Sequence, residues 1–182
     1  IKNLGIQDQT FIISKIKGIL ANVDEGELLG NIEKSLKALN VEKLYGLLLH
    51  DYLNLDLWSD SVIKIIKKIR IDSIAEKIGI SVYNYKDALR ALDIDEISMV
   101  QMPFNIFDQA YYLKGIFLEA KKRNKVILLR SIFLQGLLLM DIKDLSGKQK
   151  HFEKYLKKRD ELCKNLGIDK KELAVGYVKK WG

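Results

Sequence analysis

Cysteine, proline and histidine are all scarce in this chain. Its 182 residues include one cysteine, Cys163, one proline, Pro103, and two histidines, His50 and His151. A single cysteine excludes an internal disulfide framework and a cysteine-rich zinc site, and makes a reducing cytoplasm the default compartment. The two histidines lack metal-ligand spacing, so no metal is expected. With no Gly/Pro/Ser-rich linker, residues 1–182 read as a single domain. No apolar run approaches the roughly 18 residues that span a bilayer, and there is no signal-peptide pattern, so no membrane partner is expected. Neither G-x-G-x-x-G nor a P-loop is present, and there is no G-x-S-x-G elbow. The chain begins at Ile1 rather than Met, as expected of a processed or partial product.

What is present is ordinary for a folded protein: 48% hydrophobic and 30% charged residues. The formal net charge is +7, but the basic residues are spread through the chain. The runs at 121–123 and 154–159 read as solvated helix faces. Tyr155 is the only aromatic inside the second run. That argues against a nucleic-acid partner, which needs a basic face with stacking aromatics.

A short β-rich apolar run followed by a segment of helical spacing recurs along the chain. Residues 10–16 form the first run. Residues 27–39 then place Leu28, Leu29, Ile32, Leu36 and Leu39 on one helical face, with Asp24 as the start signal. Residues 44–50 form the second run, and Ser59 is placed to cap a helix carrying Val62, Ile65, Ile66 and Ile69. The third run is 73–82, followed by a short helix at 86–92, and the fourth is 97–101. Asp108 opens a helix with Tyr112, Leu113, Ile116, Phe117 and Ala120, and the fifth run is 126–130. The remainder reads as helices, with Phe152, Tyr155, Leu156 and Leu162 as the clearest stripe. Such alternation implies βαβ units and a parallel sheet, covered on both sides because the runs are apolar throughout. A doubly wound open sheet and part of a closed barrel both fit. A full barrel needs about 250 residues, so periodicity alone favours the open sheet.

In parallel α/β folds ligands bind at the carboxyl ends of strands. Those ends carry Lys15, then His50 with Asp51, then Ser81, then Gln101 with Asn105, then Arg130 with Ser131. Each has a bland reading. Lys15 can be a snorkelling edge lysine, His50 a satisfied core histidine, Gln101 a backbone partner and Ser81 a cap. Asn84 and Asn105 read as turn residues. Five polar strand ends on one rim point to a site.

The chain resembles the aldo/keto reductase family. The matching segments are F-I-I-S-K-I at 11–16, I-E-K-S-L-K-A-L-N-V at 32–41, Y-G-L-L-L-H-D-Y at 45–52 and I-G-I-S-V-Y at 78–83. They continue with V-Q-M-P-F-N at 100–105, R-S-I-F-L-Q-G-L-L at 130–138 and K-E-L-A-V-G-Y-V at 171–178. Each segment is short, but their order and spacing agree along nearly the whole chain. The segment at 130–138 looks closest to bacterial members, some of which accompany sugar and polysaccharide biosynthesis.

The resemblance implies a (β/α)8 TIM barrel, replacing the open sheet. Lys15, His50, Ser81, Gln101 and Ser131 then fall on its third to seventh strands, and the first two strands and the eighth are absent. It implies NADPH-dependent carbonyl reduction of a small carbonyl or sugar-derived substrate. Lys15 and His50 match catalytic positions, and Ser81 and Gln101 match residues that hold the nicotinamide carboxamide. Arg130, Ser131, Leu134 and Gly136 match the strand end and loop along the cofactor. The family's aspartate and proton-donating tyrosine belong upstream of Ile1, and its adenine and 2′-phosphate site lies after the eighth strand. Val82 stands where many members have asparagine, and Arg130 where many have a stacking aromatic.

The expected protein is therefore an inactive fragment of a reductase that binds NADPH (NADP) poorly. The alternative is a non-catalytic module that forms a homo-oligomer through its exposed strand edges. A third reading rests only on the +7 charge: a basic protein binding an acidic surface or nucleic acid.

Overall fold

The computed structural model describes residues 10–181. Strand and helix alternate in the order β1 (Ile13–Ile16), α1 (Glu25–Leu39), β2 (Leu44–Leu49), α2 (Asp60–Ile71), β3 (Ala75–Ser81), α3 (Tyr85–Asp93) and β4 (Met99–Pro103). Then come α4 (Ala110–Leu113), α5 (Ile116–Lys122), β5 (Val126–Arg130), α6 (Glu153–Leu166) and α7 (Lys170–Lys179). The five strands make one sheet in sequence order, and β1 to β4 pair in parallel.

Local chemistry sets the helix limits. Asp24 caps α1 by accepting from Glu27 N, and the helix stops at Asn40, whose φ of 54° is left-handed. Asn84 caps α3 through Asp87 N. Ser59 occupies the cap position of α2 but makes no capping bond; its hydroxyl pairs with that of Ser61.

Register gives the sheet two different faces. Leu47, Leu49, Ile78, Ile80, Val100 and Met102 share one face, each at most 1% exposed. The other face carries Ile13 and Lys15 on β1, Gly46 and Leu48 on β2, Gly79 on β3 and Met99 on β4. At two of these positions an added side chain would meet its neighbours, the mobile end of Met99 at Gly46 and fixed backbone at Gly79. A Cβ on Gly46 would lie 2.3 Å from Met99 Cε, and one on Gly79 would lie 2.5 Å from Leu48 Cδ2 and 2.6 Å from the Met99 carbonyl. The glycines let Leu48 and Met99 fill the space beneath the polar strand ends.

Chain contacts divide the residues into two compact units. The first comprises Ile1–Met102 and Leu118–Leu128, and holds α1 to α3 and most of the sheet. The second comprises Pro103–Phe117 and Leu129–Gly182. Its core joins Leu137, Leu145 and Leu156, with Phe107, Leu134, Met140 and Ile142 packed against them. Phe104 stacks on Tyr177, with ring centroids 5.5 Å apart.

Three expectations are corrected. The helix opened by Asp108 is two helices, because Gly115 adopts φ 72° between α4 and α5. The stripe on α6 is not apolar: Leu156 and Arg159 are its buried members, whereas Phe152, Tyr155 and Leu162 are exposed. Residues 134–152 form 3-10 turns rather than regular helix.

Candidate functional site

Strand parity gathers the polar residues of the first unit. Ser81 is the registered partner of Gln101, two residues beyond Gly79 and Met99. On β2 the same row is position 50, and His50 N continues the ladder by donating to Ile16 O at 2.9 Å. Lys15 is paired with Leu48 one row lower; His50 itself lies just past the end of β2 and is exposed.

Lys15 reaches across the sheet. Its Nζ donates to Ser81 Oγ at 3.1 Å and to Gln101 Oε1 at 2.5 Å. The Ser81 hydroxyl donates to the same Oε1 at 2.8 Å. Two donors on Oε1 fix the amide orientation, because Nε2 has no lone pair to receive them. The Nε2 end of Gln101 is therefore the one turned toward donation to a ligand. Ser81 is 1% exposed, so its hydroxyl is held in place rather than solvated. An ammonium, an oriented hydroxyl and an oriented amide can together polarise and hold a carbonyl or carboxamide group.

Two tyrosines follow the strand ends. Tyr52 and Tyr83 lie two residues beyond His50 and Ser81, and their rings meet edge to face at 6.2 Å. Both remain partly exposed, giving an apolar edge beside a polar floor. Sequence reading missed them, and strand parity could not have placed them, because Tyr52 opens a 3-10 turn at Tyr52–Leu55 and Tyr83 lies past the end of β3. Asp51 serves as a cap, accepting from Leu53 N at 3.0 Å.

The second unit holds the remaining predicted residues. Arg130 Nη1 donates to Ser131 Oγ at 3.3 Å. The loop that follows has φ above zero at Ser131, Leu134, Gln135 and Gly136. Three of these are not glycine, a strained conformation that needs support from outside the loop. Arg159 supplies it. Its guanidinium, 1% exposed, donates to Leu138 O at 2.9 Å and Met140 O at 3.0 Å, and Nε pairs with Asp160. Sequence could not single out Arg159, which stands in a run of solvated lysines. Asn105 is a turn residue, accepting from Phe107 N and Asp108 N.

A cleft of about 920 Å³ opens elsewhere, among Thr10, Ile12, Leu36, Leu44, Tyr45 and Glu76, at the amino ends of β1 to β3. Size and chemistry disagree here. The convergent polar groups stand at the opposite strand ends, where this fold class places its ligands. Among the described residues no cluster of His, Cys, Asp or Glu is arranged to hold a metal ion. None of the described helices is long and apolar enough to cross a membrane.

The profile of the aldo/keto reductase family matches residues 1–181. The chain belongs to the aldo/keto reductase family. Its five parallel strands correspond to part of that family's (β/α)8 barrel. Among solved structures, an aldo/keto reductase from Klebsiella pneumoniae in complex with NADP and acetate aligns with a TM-score of 0.69 at 14% identity, covering 96% of this chain and 58% of the other. The glycerol dehydrogenase of Gluconobacter oxydans aligns with a TM-score of 0.67 at 22% identity, covering 87% and 53%. An aldo-keto reductase from a deep-sea metagenome library gives 0.65 at 14% identity, covering 97% and 62%. These likenesses establish the fold. The chain thus spans little more than half the length of these relatives. No protein with a curated description matches it.

Proposed function

We propose that this chain is the central part of an NADPH-dependent aldo/keto reductase acting on small carbonyl or sugar-derived substrates. In this reading it is a single incomplete barrel carrying the third to seventh strands. The observation that carries the reading is the hydrogen-bonded triangle of Lys15, Ser81 and Gln101, at the same strand ends as His50.

The triangle suits a carboxamide: the Gln101 amide keeps Nε2 for the carboxamide oxygen, and the buried Ser81 hydroxyl holds Gln101 in that orientation. Ser81 and Gln101 would hold the nicotinamide end of the cofactor. Arg130, Ser131, Leu134 and Gly136 would line its phosphates. Bound NADPH supplies the hydride. Lys15 places a positive charge where an alkoxide develops, and His50 donates to the substrate carbonyl and orients it. NADP and NADPH complexes of Klebsiella aldo/keto reductases support this cofactor.

The sequence holds no D-x-A-x-x-Y-G-like segment, so the proton-donating tyrosine and its aspartate are assigned to a preceding segment. Loss of a general acid costs about 10²–10⁴ in rate, and the chain alone is therefore expected to be nearly inactive. Titration of NADPH against this chain, followed by NADPH fluorescence, tests the reading. Gln101→Leu should weaken binding about tenfold, and a small aldehyde added to the wild-type mixture should cause little NADPH consumption. Identical titrations for wild type and Gln101→Leu would contradict the cofactor site. Rapid consumption would contradict the missing acid.

A second reading, a homo-oligomeric assembly module without catalysis, draws on β1 ending the sheet among the described residues and on Phe11 beside it, 76% exposed. Light scattering separates the two readings: a monodisperse monomer removes the second.

A further inference from the structure

The loops that follow β1 and β2 are joined by one side chain. Asn54, 1% exposed, accepts from Leu20 N at 2.7 Å through Oδ1. Its Nδ2 donates to Gly18 O at 3.1 Å and to Asp51 O at 2.7 Å. Both amide donors and one acceptor are thus used, all on backbone groups. Gly18 lies three residues beyond Lys15, and Asp51 directly follows His50. Gly18 holds φ 98°, a left-handed turn that brings its carbonyl to Asn54.

The clamp acts where the ladder is thin. β1 is four residues long and, among the described residues, ends the sheet, with β2 as its sheet neighbour. From that short strand Lys15 must reach over β2 to Ser81 on β3 and Gln101 on β4. A shift of about 1 Å at the end of β1 would break a 3.1 Å contact. Apolar packing could hold the two loops together but would leave their register loose; three directed hydrogen bonds fix it.

We propose that Asn54 is a positioning residue: it locks the loop after Lys15 to the loop after His50 and so holds the Lys15 ammonium on Ser81 and Gln101. The proposal rests on the reading of Lys15 and His50 as a functional pair. Its test needs no cofactor, so its failure is distinct from a failure of the reductase reading.

The test measures the reactivity of each lysine toward acetic anhydride, with sites assigned by peptide mass spectrometry. Acylation needs the Lys15 amine free of Ser81 Oγ and Gln101 Oε1, so those contacts slow it. In Asn54→Asp, which keeps the acceptor for Leu20 N but loses both donors, Lys15 should react at least about fivefold faster, the population change that even one lost hydrogen bond produces. Asn54→Ala should do the same or more. Other lysines should not change, and Ile69→Val, a core substitution in α2, should leave Lys15 at its wild-type rate. If Lys15 is unchanged in a folded Asn54 variant, or if all lysines or the Ile69→Val control speed up equally, Asn54 is merely structural and the proposal falls. In the unaltered chain the Leu20 amide should resist hydrogen exchange. Exchange there as fast as in an exposed loop overturns the clamp even if no Asn54 variant folds.

Discussion

The two units place their polar groups by different means. In the first, one register does the positioning. Once β2, β3 and β4 pair in parallel, Ser81 and Gln101 share a row, and β2 delivers His50 beside its end. In the second, single side chains do so. Arg159 holds the carbonyls of a loop with four consecutive or near-consecutive left-handed residues, and the Phe104–Tyr177 stack supports α7. Nearly all of the chain's positive excess also lies in the second unit. A repeated backbone pattern tolerates the loss of one residue; a singular clamp does not.

The largest expected effect comes from removing that clamp. Arg159→Leu leaves the Leu138 and Met140 carbonyls without their donor and should destabilise the second unit by about 3 kcal/mol. Hydrogen exchange should accelerate in residues 134–140 while β2 and β3 keep their protection; uniform acceleration would erase the contrast. Next comes Gly79→Ala. Its methyl would meet the Met99 carbonyl at 2.6 Å, a backbone atom that cannot swing away, and the expected cost is about 2 kcal/mol in denaturant unfolding. Gly30→Ala on α1 sharpens the contrast with the opposite sign. Nothing lies within 4 Å of the added methyl, so the helix should gain about 0.5–1 kcal/mol.

The smallest effect is electrostatic. The ammonium of Lys68 bonded to Glu25, and that of Lys170 bonded to Asp141, hold both carboxyls below their ordinary values. A carboxyl lowered in the folded state contributes stability above its unfolded value and loses it as pH falls through the folded value. Thermal midpoints should therefore drop slightly below about pH 4. Added salt should blunt the drop, since both pairs lie in solvent.

This division also explains what the sequence revealed. Five strands, their order and their polar ends were legible, because apolar runs, Asp24 and Asn84 act locally. The break at Gly115 was missed because Tyr112 to Ala120 keeps helical spacing across a left-handed glycine. The stripe on α6 was misread because a buried arginine occupies what looks like a polar position. Asn54 carried no signal, since all its partners are backbone atoms fixed only by tertiary folding.

Nuclear magnetic resonance of the isolated chain during addition of nicotinamide mononucleotide tests the central claim most directly. Lys15, His50, Ser81 and Gln101 facing one ligand predicts shifts at the Gln101 side-chain amide, the Ser81 backbone amide and the His50 ring, all lost in Gln101→Leu. Shifts confined to the groove near Thr10, Leu36 and Tyr45 at the other strand ends, with that row silent, would contradict it.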